Sequence, residues 1–462
     1  MKYISTRGQA PELTFEEAML TGLARDGGLY LPAEIPVMTQ DEIAALAGLQ
    51  YEDIAFRVMW PYVSESFAED EFKAIIARAY QGFGHDARAP LKQLNENHFL
   101  LELFNGPTLA FKDFAMQLIG QLFQVALKRR GDRVTIVGAT SGDTGSAAIE
   151  AFRGLDAVDV FILFPHGRVS EVQRRQMTTP ANSNVHALAV DGDFDDCQAA
   201  VKDMFNDFDF RDSVKLAGVN SINFARVLAQ VVYYFSAATS LGAPPRKVSF
   251  TVPTGNFGDI FAGFIAKRMG LPIDRLVVAT NQNDILHRCL SGQGYFKGDT
   301  IPSISPSMDI QVSSNFERAL YYAYDEDGSA VAQLMDELKQ GGFNVSQGAI
   351  GALRENFDSD RVSEDETLAT IKSTLAQSGE LVCPHTAVGI KVAEDHRAAD
   401  VPMITLATAH PAKFPAAVEQ ASDVHPPLPS RMSDLYERPE RVTRIANDLG
   451  TIEDHIKRHI AE

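Results

Sequence analysis

From Phe99 onward the chain repeats one pattern: a short apolar run, a glycine-rich turn, then a stretch whose apolar residues recur at helical spacing. Short apolar runs alternating with amphipathic helices build parallel α/β sheets, and few other architectures accept that order. Phe99–Phe104 leads through Asn105-Gly106-Pro107-Thr108 to a stretch whose Leu118, Ile119, Leu122, Phe123 and Ala126 share one helix face. Val134–Val137 feeds Gly138–Gly145, the small-residue helix start Ser146-Ala147-Ala148 and a further strand at Val160–Phe164, a complete βαβ unit. Val248–Val252 passes through Pro253–Gly258 into Ile260–Ala266 and back to a strand at Leu276–Ala279. A last strand, Met403–Ala407, ends at Thr408-Ala409-His410-Pro411, where Pro411 suits a first helical position. Open parallel sheets bind ligands beyond the carboxyl ends of their strands, so four strand-end loops are where chemistry is expected.

The first 90 or so residues read as mostly helical, with Thr14-Phe15-Glu16-Glu17 as a capping box and Asp41 as a cap for the segment from Glu42. Approximate limits follow at 1–92, 93–215 and 216–462, the last two being α/β lobes with largely parallel sheets and flanking helices. A net charge of −19 repels polyanions and argues against nucleic acid and anionic membrane as partners. Cys197, Cys289 and Cys383 are odd in number and far apart, which excludes a disulfide framework or Cys-rich zinc site and fits a reducing compartment. The start, Met1–Gly8, lacks the apolar core of a secretory signal, and Glu12, Glu16 and Glu17 argue against a transit peptide. Val227–Pro245 contains Gln230, Ser236, Thr239 and Ser240 and reads as a buried helix, not a membrane span. A cytoplasmic protein is expected.

Thr254-Gly255-Asn256-Phe257-Gly258 stands where a strand hands over to a helix, so its N–H groups can converge on an anion favoured by the helix dipole. It has neither the Gly-Lys-Ser/Thr of a nucleotide loop nor a Gly-x-Gly-x-x-Gly pattern, and glycines that merely permit a tight turn remain the other reading. Ser141-Gly142-Asp143-Thr144-Gly145 offers backbone donors and two hydroxyls suited to a carboxylate or small phosphate ester, or equally a helix cap. Lys112, in Leu109-Ala-Phe-Lys-Asp-Phe114, has apolar neighbours on both sides. Lysines in such settings commonly snorkel, yet desolvation also yields a neutral amine that condenses with an aldehyde. A lysine nucleophile and a phosphate cup without a nucleotide motif together point to pyridoxal phosphate. His455 and His459 are four apart but lack a zinc-type motif, and Asp191, Asp193, Asp195 and Asp196 lack the glycine and terminal glutamate of a calcium loop, so no metal is assigned.

Gly106-Pro-Thr-Leu-Ala-Phe-Lys-Asp113, Ser141–Gly145, Gly255–Gly258 and Thr408–Pro411 occur in the order seen in threonine synthases, and the chain resembles that family along nearly its whole length, including Tyr3–Gly8 and Asp26–Pro32. The resemblance implies a pyridoxal-phosphate enzyme of fold type II, built like the tryptophan synthase β chain. The reaction implied is that of O-phospho-L-homoserine with water, giving L-threonine and phosphate. By residue, it implies that Lys112 forms the Schiff base and shuttles protons, that Gly255, Asn256, Phe257 and Gly258 hold the cofactor phosphate, and that Thr408 faces the pyridine nitrogen. The substrate carries a carboxylate and a phosphate and so needs a second anion site. Ser141, Asp143 and Thr144 are candidates by loop resemblance. Asn223 and Arg226, three apart on a helix face, are candidates by spacing, with an ordinary ion pair as the alternative for Arg226 and Lys413 as a further candidate. A dehydratase or β-replacement enzyme of the same fold would lack a basic residue for a γ-phosphate, and a catalytically silent homologue would dispense with Lys112. No feature of the sequence fixes an oligomeric state.

Overall fold

The computed structural model describes residues 1–218 and 221–460. The chain divides into two units, each drawn from three separated stretches. One comprises Met1–Ile76, His85–Asn105 and Ser221–Pro426; the other comprises Ala77–Gly84, Gly106–Asn220 and Pro427–Glu462. The limits expected at 92/93 and 215/216 are therefore corrected. Strand pairing does not require chain contiguity, and the C-terminal strand Thr443–Ala446 pairs in parallel with Val185–Asp191, Ile445 opposite Val190. Ile452 and Ile456 of the helix Leu449–His459 then enter the same core as Val137, Phe161 and Leu188.

Among the described residues the larger unit holds a six-stranded sheet in the order Phe357–Arg361, Ile273–Thr280, Val248–Pro253, Met403–Ala407, His98–Glu102, Leu91–Asn95. All run parallel except Leu91–Asn95, which closes one edge antiparallel to its neighbour. Val248–Pro253 and Met403–Ala407 are buried along their full length, as continuous apolar runs require. The two edge strands, Phe-Asp-Ser-Asp-Arg and Leu-Lys-Gln-Leu-Asn, carry no such run and escape the sequence pattern. Parallel pairing of Met403–Ala407 with Val248–Pro253 brings Thr408 and the Thr254–Gly258 turn to the same carboxyl edge of one sheet.

The smaller unit holds five parallel strands in the order Thr443–Ala446, Val185–Asp191, Val158–Pro165, Val134–Ala139, Leu216–Ala217. The helices Lys112–Arg130 and Asp143–Phe152 pack side by side, close enough that Gly120 meets the carbonyl of Ala151 where any β-carbon would collide. Leu118, Ile119, Leu122, Phe123 and Ala126 are all buried, as their spacing requires.

Within Met1–Ile76 short helices accompany an antiparallel pair, Tyr3–Ser5 with Tyr30–Pro32. Thr14 caps Phe15–Thr21 in a capping box with Glu17. The next cap is Thr39, not Asp41: its hydroxyl accepts from Glu42 N while the Glu42 carboxylate accepts from Thr39 N at 2.7 Å, a reciprocity only a residue three before the glutamate achieves. Asp193 caps Phe194–Asn206 with Asp196 as its box partner, and among the described residues no cluster of His, Cys, Asp or Glu is arranged for a metal. The helix Phe224–Ser240 is buried almost throughout, and no described helix is long and apolar enough to cross a membrane. All three cysteines are buried and, among the described residues, none is in a disulfide; burial pushes the Cys197 and Cys289 thiols up to about 12.

Candidate active site

In the smaller unit Lys112 opens the helix Lys112–Arg130 and is 9% exposed. The approach to it, Gly106–Phe111, is folded back by Asp113, whose carboxylate accepts from Thr108 N at 2.8 Å and Thr108 Oγ1 at 2.5 Å. A β-carbon on Gly106 would strike that carboxylate at 2.5 Å, so glycine is required there. Leu109 is held at φ +64, a conformation rare for a branched side chain, and Gln176 Nε2 and Arg431 Nη2 donate to the carbonyls of Thr108 and Gly106. This bracing sets the position of Lys112. Its Nζ lies 3.4 Å from Asp143 Oδ2 and 5.0 Å from the centre of the Phe111 ring.

Asp143 begins the helix Asp143–Phe152 at the end of Val134–Ala139, and its other oxygen accepts from Gln173 Nε2 at 2.9 Å. The Ser141–Gly145 loop is tied from within: Thr140 Oγ1 accepts from both Gly142 N and Gly145 N at 2.9 Å. Gly142 sits at φ +135, against the Gln173 side chain. Ser141 and Thr144 remain partly exposed at the mouth of this loop, whereas Asp143 is turned to Lys112. The Lys112–Asp143 pair and the roles of Thr140 and Gln173 were not visible in the sequence, since they depend on the packing of the helices Lys112–Arg130 and Asp143–Phe152 within the smaller unit.

In the larger unit the turn after Val248–Pro253 has a different construction. Phe257 adopts φ +62 and buries its ring between Phe316 and Phe357, with centroids 5.2 and 5.1 Å away, so its backbone and not its side chain faces outward. Ser313 Oγ donates to Gly255 O at 2.6 Å, and Asn315 donates from N and Nδ2 to Asn256 O at 3.1 and 3.0 Å. Among the described residues none of the N–H groups of Gly255, Asn256, Phe257 and Gly258 has a protein acceptor, as expected at the first turn of the helix Gly258–Arg268. A β-carbon on Gly255 would lie 2.6 Å from the Ser307 carbonyl. Gly255→Ala is therefore expected to distort the turn and weaken pyridoxal phosphate binding by about tenfold or more, read from the cofactor dissociation constant.

Asn315 is in turn fixed by Arg318, a fully buried arginine that donates to Asn315 Oδ1, to Tyr30 O at 2.6 Å and to Ile222 O at 2.6 Å. Burial pulls its guanidinium down to about 9. The adjacent Glu317 receives Arg7 at 3.0 and 2.9 Å and Thr6 Oγ1 at 2.6 Å. Tyr3–Gly8 and Asp26–Pro32, which sequence pattern leaves without a role, thus brace the turn through Glu317 and Arg318.

Thr408 is 5% exposed at the end of Met403–Ala407, and Pro411 opens a short 3-10 turn capped by His410 Nδ1. Lys413 is fully buried in that turn. Asn223 caps Phe224–Ser240: its Oδ1 accepts from Ala225 N at 3.1 Å and its Nδ2 donates to Met19 O at 2.7 Å. Both ends of that amide are committed, which makes Asn223 a positioning group for the first helical turn. Asn220 of the same motif lies outside the described residues. Arg226 is 4% exposed, and among the described residues its Nε and Nη1 have no hydrogen-bond partner. Burial lowers its guanidinium to about 10. No carboxylate pairs with it, so the ion-pair alternative does not apply among the described residues.

The smaller unit carries a shielded amine, and the larger unit carries a turn of unengaged N–H groups and a strand-end hydroxyl. The family model for pyridoxal-phosphate dependent enzymes matches residues 85–403, and the class of protein is a pyridoxal-phosphate-dependent enzyme of fold type II. The threonine synthase N-terminus model matches residues 2–80 and the threonine synthase C-terminal model residues 386–456. The threonine synthase of Pseudomonas aeruginosa is 55% identical, covering 99% of this chain and 98% of that protein. The crystal structure of pyridoxal-phosphate-bound threonine synthase from Brucella melitensis is 56% identical, covers 99% of both chains and superposes with a TM-score of 0.98. The structure of threonine synthase from yeast is 40% identical over 99% and 98% of the two chains, with a TM-score of 0.94. The chain belongs to the threonine synthase family of pyridoxal-phosphate-dependent lyases.

Proposed function

We propose that the chain converts O-phospho-L-homoserine and water into L-threonine and phosphate, the last step of threonine biosynthesis, and that Lys112, Gly255–Gly258, Thr408 and Arg226 carry the work. Arg226 is the observation that favours this substrate over a monoanionic amino acid. A buried guanidinium without a partner is costly unless an anion completes it, and a substrate with both carboxylate and phosphate brings that anion.

Bound pyridoxal phosphate supplies the electron sink that makes the Cα and then the Cβ protons of the amino acid acidic. Gly255–Gly258 would hold its phosphate through their N–H groups, and Thr408 would offer its ring nitrogen a neutral hydroxyl partner. Lys112 Nζ takes and returns the protons at Cα and Cβ, and the nearby Asp143 carboxylate steadies the ammonium form between transfers. Apolar Phe111 and the braced 106–113 loop limit water around the amine, so water is used at Cβ and not in wasteful hydrolysis. Ser141 and Thr144 offer hydroxyls to the substrate carboxylate from the loop tied by Thr140.

The working place proposed is the cytoplasm, supported by three cysteines that are odd in number and far apart in the sequence, with no nucleic-acid or membrane partner, supported by the acidic net charge. The test is a single reaction with O-phospho-L-homoserine in which phosphate and threonine are assayed together. Equal release of both is expected. Phosphate without threonine, or neither product, removes the proposal.

A further inference from the structure

The smaller unit contains a cleft of about 810 Å³ that the catalytic assignments leave unused. Lys112, Ser141 and Asp143 do not line it. The helix Asp143–Phe152 starts at the strand ends beside Lys112, and the cleft reaches Ala151 and Arg153, eight or more residues further on. At about 1.5 Å of rise per residue Ala151 lies about 12 Å along the helix axis from the lysine end, while Pro107 and Thr108 bring the near wall of the cleft to the back of the segment that leads to Lys112.

Four guanidinium groups, Arg78, Arg153, Arg431 and Arg438, meet at this cleft with one carboxylate, Glu150. In a chain of net charge −19 such a concentration of cations is out of keeping with the surface at large. Arg153 Nη2 lies 2.6 Å from Glu150, Arg438 is paired with Asp434 at 3.0 and 2.7 Å, and Arg78 engages Gln121 only through Nε. A guanidinium has five N–H donors, and these pairings leave a recognition edge on Arg78 and Arg153. The walls point the same way. Gln176, 6% exposed, spends Nε2 on the Thr108 carbonyl and leaves Oε1 buried without a partner; Gln117 Nε2 is likewise buried without one. Buried amide groups left open in a cleft are sites that a polar ligand completes.

We propose that this cleft is a second binding site, for a small polyanionic metabolite whose phosphoryl or carboxylate groups engage the arginines and whose polar core reaches the two glutamines. It contains no amine or hydroxyl placed as a nucleophile, and it acts by binding alone.

The test is calorimetric titration of the pyridoxal-phosphate-loaded enzyme with inorganic pyrophosphate and, separately, citrate, following the visible absorbance of the cofactor so that binding near Lys112 is recognised by a spectral change. Saturable binding of at least one probe with an unchanged spectrum is expected, and pyrophosphate or citrate preference identifies a phosphoryl or a polycarboxylate ligand. Arg153→Gln combined with Arg438→Gln is expected to weaken that binding by about tenfold or more, with the KM for O-phospho-L-homoserine unchanged. Should the double variant melt early, Arg78→Gln at an exposed helix position gives the same comparison. No spectrally silent binding of either probe, or binding that folded variants leave intact, overturns the proposal.

Discussion

Lys112→Ala is expected to lower turnover by about 10⁴-fold or more and to abolish the visible band of the bound cofactor, while far-UV circular dichroism and melting stay near those of the parent. The side chain contributes an amine that no neighbour replaces, and the helix it opens is held by the Asp113 brace, which the substitution leaves intact. Lys112→Arg separates the two roles of the residue. It preserves a cation opposite Asp143 and so preserves the local charge balance, yet it offers no amine able to lose a proton near neutral pH. Both variants are therefore inactive, and the arginine variant retains the greater stability. Turnover within tenfold of the parent in either variant would remove Lys112 from the mechanism.

Arg226→Met is expected to separate activity from stability in the opposite sense to most core substitutions. A buried cation without a protein partner carries an unrelieved desolvation cost, and methionine fills a similar volume without it. The melting temperature is expected to hold or rise, corresponding to about 1–4 kcal/mol of added stability in comparable replacements. The kcat/KM for O-phospho-L-homoserine is expected to fall by about 10²-fold or more, the loss typical when one partner of a buried charge pair is removed. A lysine at 226 recovers part of that loss, because it restores charge without the fork of donors. The combination of an early melt and an unaffected kcat/KM would show that Arg226 only supports the helix Phe224–Ser240.

The six apolar runs read as strands were legible because burial on both faces imposes a continuous apolar pattern, and Met403–Ala407 begins and ends where its pattern does. Of the strands that escaped, Phe357–Arg361 and Leu91–Asn95 lie at sheet edges where polar residues meet solvent and periodicity carries little signal, whereas Val185–Asp191 is an interior strand. Caps show the same division. Thr14 could be read from its own four residues, whereas Asp41 was read as the next cap and the structure gives that place to Thr39, paired with Glu42.

The sequence by itself determined the alternation of strand and helix, the strand-end turns, the shielded setting of Lys112 and the glycine turn at 255–258. Each is a local consequence of side-chain size, polarity and backbone freedom. Tertiary structure alone decided that Asp143 stands by Lys112, that Asn315 and Arg318 hold the turn's Asn256 carbonyl, that Asn223 reaches Met19, and that among the described residues Nε and Nη1 of Arg226 have no hydrogen-bond partner. Some of these relations join distant residues: Lys112 and Asp143 are 31 positions apart, and Arg318 and Tyr30 are 288 apart. A hydrogen bond or a missing counter-charge between such distant residues leaves no trace in local spacing; it exists only once the sheets have brought them together.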